Sequence, residues 1–163
     1  MSEYLYEEEL TRRYQTEVFG EAYFDQMLSQ FDAPEHKFKV AVMLQLETET
    51  KARVRAMMLR LGMDVKESQD SRDIGTNMAE EMRGKTWLDA ISDFRELFIK
   101  LLDEEKEIAA KAPSEYQAYA QSMVAHGQCY FDFSELELNG ESDVSLRPII
   151  ELLEHKVPLL PPG

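Results

Sequence analysis

The chain has one cysteine, Cys129, so an internal disulfide is excluded and a reducing compartment suits it. Seven glycines and six prolines are few for this length, and they gather at joints between apolar stretches. No Gly-rich phosphate loop, Cys-x-x-Cys pair or Gly-x-Ser-x-Gly elbow occurs. No apolar run approaches the roughly 20 residues that a membrane span needs. Met1 to Glu9 is acidic where a secretory leader needs a basic and then an apolar stretch, so the expectation is a cytoplasmic protein with no membrane partner. Basic residues are scarce as well: 18 Lys and Arg stand against 32 Asp and Glu, a net charge of −14. An acidic chain without a basic patch repels phosphate backbones and anionic lipid surfaces, which argues against nucleic acid as a partner. The charge otherwise serves solubility.

What the sequence does have is helical periodicity. A length of 163 residues, 44% of them hydrophobic and 31% charged, fits one folded domain spanning 1–163. From about Leu10 to Phe31 the inward positions are Leu10, Tyr14, Glu17, Glu21, Phe24, Leu28 and Phe31, spaced alternately four and three. Asp32 and Pro34 punctuate the joint, Asp32 as a cap and Pro34 in a first turn. A second helix over about Glu35 to Leu61 carries Val40, Met43, Glu47, Thr50, Val54, Met57 and Leu61, and Gly62 ends it. Asp64 to Lys85 is polar, with a short helix expected around Asp73 to Arg83. Thr86 opens a third helix running to about Lys111, striped by Trp87, Ile91, Phe94, Phe98, Leu101, Glu105 and Ile108. After Pro113, Ser114-Glu-Tyr-Gln117 reads as a capping box for a fourth helix bearing Tyr116, Tyr119, Met123, His126, Tyr130 and Phe133. Leu146 to Leu153 makes a short tail helix before the closing Pro-Pro-Gly. No segment alternates with a strand period, and no repeat is present. Four amphipathic helices predict an all-α four-helix bundle, and the connection of about 23 residues after the second helix predicts a long crossover.

Three side chains break the apolar stripes. Glu17 lies about 16 residues before the first joint, Glu47 about 14 after it, and His126 about 13 after Pro113. At about 1.5 Å rise per residue these heights nearly coincide, so the three are expected in one layer of the core. Two carboxylates and an imidazole can hold iron, manganese or zinc, with Glu21, Glu49 or Thr50 as weaker additions. The alternative is a hydrogen-bonded core network with no ion, in which Lys51, Arg53 or Tyr130 supplies donors. The methionines read as core filling, the tyrosines as packing with hydroxyls near the surface, and Cys129 as a small buried hydrophobe. His36 and His155 fall at helix ends without ligand spacing.

Glu17-Val-Phe-Gly-Glu21, Leu46-Glu-Thr-Glu-Thr50 and Ala125-His-Gly127 with Phe133 to Gly140 resemble the ferritin-like superfamily, in its small rubrerythrin-like members, over about Tyr14 to Leu153. The resemblance implies a ferritin-like bundle in which two helices each give one Glu and the other two each give a Glu-x-x-His pair, together holding two iron ions. Glu17 matches the first-helix ligand, Glu47 the Glu of the first pair and His126 the His of the second. The chain departs from the pattern at Thr50, where a His is expected, at Met123, where a Glu is expected, and in the third helix, which has no central seam carboxylate. Glu96 there points to the opposite face, and Glu105 lies toward the helix end. The implied reading is a degenerate or partial site holding one iron or other divalent ion, or none, in a protein acting through its surface as a homodimer or partner-binding module. The alternative is a non-haem iron or manganese oxidoreductase reacting with dioxygen or peroxide, its substrate unspecified.

Overall fold

A computed structural model describes residues 3–160, with side chains from Tyr6 onward; the closing Pro161-Pro162-Gly163 lies outside the described residues. Among these residues the regular structure is entirely helical: α1 (Glu3–Met27), α2 (Pro34–Arg60), α3 (Gln69–Glu80), α4 (Trp87–Lys111), α5 (Gln117–Leu138) and α6 (Arg147–Leu152). None of these helices is long and apolar enough to cross a membrane.

Local chemistry explains most of the boundaries. Gly62 takes a left-handed φ of 72° after α2. That lets the Met63 N–H donate to the Met58 carbonyl at 3.0 Å and satisfy an otherwise orphaned acceptor. Thr86 caps α4, accepting from the Asp89 N–H at 3.2 Å while its hydroxyl donates to the Asp89 carboxylate at 2.7 Å. Two expected caps form differently. Ala33, not Asp32, is the residue before α2, and it makes no side-chain cap; Pro34 at the first position has no N–H to satisfy. Ser114 to Tyr116 forms a single 3-10 turn, so α5 starts at Gln117. The Gln117 amide is spent instead on α4, donating to the carbonyls of Ala109 and Ala112 at 3.0 and 2.7 Å.

Chain direction follows from which residues meet. α1 packs against both α2 and α3, and α4 packs against α5. Gln15 on α1 donates to the Lys66 carbonyl at 2.8 Å and accepts from the Ser68 N–H at 2.9 Å. Further up α1, Gly75 lies against the backbone of Phe19 and Tyr23, and Gln26 donates to Glu80. α3 therefore runs parallel to α1 and carries the crossover back along its flank. Arg13 meets Glu105 and Phe24 meets Phe94, so α4 is antiparallel to α1. Lys39 meets Glu137 and Tyr130 meets Glu47, so α5 is antiparallel to α2, and α2 and α4 run the same way.

The segment between α2 and α3 is tied down by charge. The Glu67 carboxylate accepts from Lys51 at 2.9 Å, from Arg72 and from Arg55. The hydrogen bond from Lys51, with that from Arg72, holds its carboxyl down at about 2. A carboxyl with a depressed folded pKa contributes stability above its unfolded value, and this is lost as pH falls toward the folded one. The thermal midpoint gap between the parent and a Glu67→Gln variant is therefore expected at pH 7, shrinking below about pH 4.5 and closed near pH 2. A gap that persists unchanged at pH 2 would show that Glu67 acts through something other than its charge. The pair is partly exposed, so salt is expected to reduce the gap.

The apolar core comes in two pieces. One contains Phe24, Val40, Met43, Leu46, Trp87, Phe94, Tyr130 and Phe133, and is closed off by Leu146, Ile149 and Leu153. The other contains Tyr6, Leu10, Tyr14, Val54, Met58, Tyr116 and Ala120. Between them lies a layer of buried polar groups: Arg13, Glu17, Glu47, Thr50, Glu105 and His126.

Candidate metal centre

Four helices each contribute to this layer. Glu17 comes from the middle of α1, Glu47 from the middle of α2 and His126 from the middle of α5, and one ligand atom from each lies within 4.8 Å of the others. No other group of three ligating side chains of this kind is found among the described residues. All three are buried, Glu17 at 0% exposure. α4 contributes Glu105, which the sequence places inward but off-centre, and which reaches the layer through Arg13.

Room for the carboxylates is built into α1. A Cβ placed on Gly20 would lie 2.0 Å from Oε2 of Glu47, so the missing side chain at position 20 is what seats that carboxylate against the helix. The Tyr130 hydroxyl donates to Glu47 Oε1 at 2.5 Å. That phenol is itself held un-ionised by burial. His126 Nε2 lies 3.1 Å from the same Glu47 oxygen but out of line for a hydrogen bond.

Arg13, one turn before Glu17, is the group that stripe reading passed over in favour of Tyr14. Its Nε sits 2.8 Å from Glu17 Oε1, its Nη1 donates to Glu105, and its Nη2 lies 2.8 Å from His126 Nδ1. The signal for it was available: positions 13 and 17 share a helix face as an i, i+4 pair.

Burial sets the charge states. It pushes the carboxyls of Glu17 and Glu47 well above the usual range, against the pull of Arg13 on the first and of Tyr130 and Arg13 on the second. It pushes the His126 imidazole down to about 4, so the ring is neutral. Burial also works against the Arg13 charge, but Glu17 and Glu105 outweigh it and keep the guanidinium ionised. Several atoms are left wanting: both oxygens of Glu17, Nε of Arg13 and Nε2 of His126 are buried with no well-aligned hydrogen-bond partner. Buried polar atoms are normally satisfied, so the unmet Glu17 oxygens and His126 Nε2, converging on one spot beside Glu47, are the feature a bound cation would explain. Three carboxylates, Glu17, Glu47 and Glu105, face one guanidinium. Fully ionised they leave two negative charges in surplus, the charge a divalent cation brings. The donor set therefore fits such an ion.

The weaker candidates lie elsewhere. Glu21 turns outward to Lys51, Thr48 and Arg72. Glu49 accepts from Gln45 at 2.8 Å and from the Glu154 N–H at 2.6 Å, fastening the chain beyond α6 to α2. Thr50 is buried beside the layer and meets Arg53 at 3.4 Å. Of the three proposed donors, Tyr130 serves Glu47, whereas Lys51 and Arg53 serve Glu21, Glu67 and Thr50. Glu96 is exposed on the far face of α4, paired with Arg95. Cys129 is a buried free thiol donating to the His126 carbonyl at 3.0 Å. His36 stacks on Trp87, ring centroids 4.3 Å apart.

A narrow cleft opens between α1 and α4 and ends on Glu17, Glu47 and His126. Its volume is about 40 Å³, and its walls are mostly apolar: Phe19, Tyr23, Phe94, Leu97, Phe98 and Leu101. That is room for one or two small molecules at the polar layer and no more.

Compared with known proteins, the chain matches no family model, no curated protein and no solved structure.

Proposed function

We propose that this protein is a ferritin-like helical bundle that binds a single divalent transition-metal ion, iron, manganese or zinc, through Glu17, Glu47 and His126. The carrying observation is the convergence of three buried ligating side chains from three helices within 4.8 Å, with both oxygens of Glu17 and Nε2 of His126 lacking an aligned hydrogen-bond partner. The antiparallel α1–α2 and α4–α5 pairs, the parallel α2 and α4 and the crossover that α3 fills support the ferritin-like reading. Thr50 and Met123 supply no ligand that a second ion would need, and Arg13 brings a positive charge into the same layer, which supports one ion rather than two. The Tyr130 hydroxyl orients Glu47, and Gly20 leaves space for it. Such an ion would supply Lewis-acid or redox chemistry.

A second reading, a non-haem iron oxidoreductase, is favoured by the α1–α4 cleft, whose apolar walls lead a small oxidant to the layer and exclude bulk water. Cytoplasmic residence, with its reduced iron, suits both readings.

Metal analysis of protein purified without chelator, followed by thermal melting with Fe(II), Mn(II) or Zn(II), is expected to give about one ion per chain. Saturation at a hundredfold excess over Kd should add about 2.7 kcal/mol, a rise of roughly 5–10 °C for a domain this size. Glu47→Ala should abolish the rise. No bound ion and no shift would end the metal reading. Retention of Fe(II) without oxidation on adding peroxide would end the oxidoreductase reading alone.

A further inference from the structure

Arg13 stands in contact with two of the three residues assigned to the metal, and its chemistry conflicts with theirs. A guanidinium nitrogen donates and never accepts. With Arg13 Nη2 at 2.8 Å, His126 Nδ1 must present its lone pair. A neutral imidazole has one lone pair and one N–H, so the ring proton then sits on Nε2. Nε2 is the nitrogen beside Glu47, 3.1 Å from its Oε1. A metal ion shared by Glu47 and His126 needs the lone pair at that nitrogen. The two demands on one ring cannot be met together.

We infer that Arg13 is the resident cation of the metal-free site, holding His126 in the Nε2–H tautomer, and that a metal ion enters only by displacing it. This rests on the proposed metal site and adds how that site is kept closed. In the metal-free state the guanidinium pairs with Glu17 and Glu105 and occupies Nδ1, which lowers the cost of burying those carboxylates without an ion. When a divalent cation takes Glu17, Glu47 and Nε2, the ring proton moves to Nδ1, which then repels the donor it used to accept from. Arg13 has somewhere to go. Together with Glu105 it lines a small neighbouring cavity that also contains Glu9 and Tyr119. The Tyr119 hydroxyl is buried with no hydrogen-bond partner, an acceptor facing the released guanidinium, which keeps its bond to Glu105 throughout.

The test combines Zn(II) titration calorimetry on the parent, Arg13→Met and Arg13→Lys with ¹⁵N NMR of histidine-labelled parent, the His126 signals assigned by their loss in His126→Gln. The metal-free parent is expected to show His126 protonated at Nε2, and Zn(II) is expected to move the proton to Nδ1. Arg13→Met, which removes both charge and donor, should bind Zn(II) at least tenfold more tightly than the parent, and Arg13→Lys should return toward the parent value. An Nδ1–H tautomer in the metal-free parent overturns the inference without any variant. Equal or weaker Zn(II) binding by Arg13→Met also overturns it while leaving the proposed metal site standing. Binding by Arg13→Met but not by the parent supports Arg13 as the resident cation and sinks the proposed function. Binding by neither sinks both.

Discussion

A Glu137→Ala protein is expected to be less stable by about 3–5 kcal/mol, the usual cost of removing one partner of a buried ion pair, with a thermal midpoint lower by roughly 6–20 °C. Glu137 lies on the last turn of α5 with its side chain 1% exposed, and so does Lys39 from the first turns of α2. One carboxylate oxygen accepts from Lys39 Nζ at 2.5 Å and from the Ser145 hydroxyl; the other accepts from Trp87 Nε1 at 2.6 Å. Truncation would leave the indole N–H and the ammonium short of an acceptor inside an apolar cluster. Lys39 retains the Ser142 carbonyl at 3.0 Å and the half-exposed Glu35 at 2.8 Å, so the loss should fall short of that for a wholly unpaired ammonium. Replacing both partners, Lys39→Met with Glu137→Leu, should recover much of the stability, because apolar residues of similar volume suit that environment. Chemical denaturation of the two single variants and the double gives the coupling directly. A double variant as unstable as the sum of the singles would show that Lys39 and Glu137 are not energetically paired.

That cluster and the Glu–Glu–His layer differ in how visible they were in the sequence. Glu17, Glu47 and His126 stood out because each occupies a position where the stripe wants an apolar side chain, and because equal distance from a helix joint means equal height. Their convergence needed only helical rise. Glu105 was seen facing inward, but its purpose was hidden, since it serves Arg13 on another helix and no spacing rule links positions 92 residues apart. Arg13 was hidden for a different reason. α1 is covered on two sides, by the bundle and by α3, so it buries a broader arc than a single four-three stripe, including Arg13, Val18 and Ala22. Glu21, which continues the stripe, turns outward because Lys51 and Arg72 pull it to the edge.

The helices themselves were largely legible. α2 follows from periodicity and Pro34 in its first turn, α4 from periodicity and the Thr86 cap, and the stop after Leu61 from Gly62. α1 begins at Glu3 rather than Leu10, the acidic first turns suiting a helix N-terminus. α3 begins at Gln69 rather than Asp73 because Ser68 caps it, accepting from the Ser71 N–H at 3.4 Å. Its docking along α1 could not be read, since α3 buries little of its own surface and is held by the Gly75 contact, by Ala79 and Met78 against the core, and by polar contacts at its ends.

That glycine contact supports the second large effect. In a helix interior, replacing Gly with Ala ordinarily stabilises by about 1 kcal/mol. At Gly75 the sign should reverse. A Cβ there would sit 2.3 Å from the Phe19 carbonyl oxygen and 3.2 Å from the Tyr23 nitrogen. Both are backbone atoms of α1, which cannot rotate aside as the tip of a side chain could, so α3 as a whole must lift away. Overpacking of this kind costs roughly 1–3 kcal/mol where side chains can relax, and more where they cannot. The damage should be local, because α3 buries only Gly75 and Ala79 and the long helices keep their own contacts. Gly75→Ala is therefore expected to speed amide exchange across 69–80 by a hundredfold or more while the buried amides of α2 and α5 stay protected. Uniform loss of protection along the chain would mean that α3 is an integral part of the cooperative unit rather than a strap on its side. Unchanged exchange would mean that the two helix backbones do not approach as closely as 2.3 Å requires.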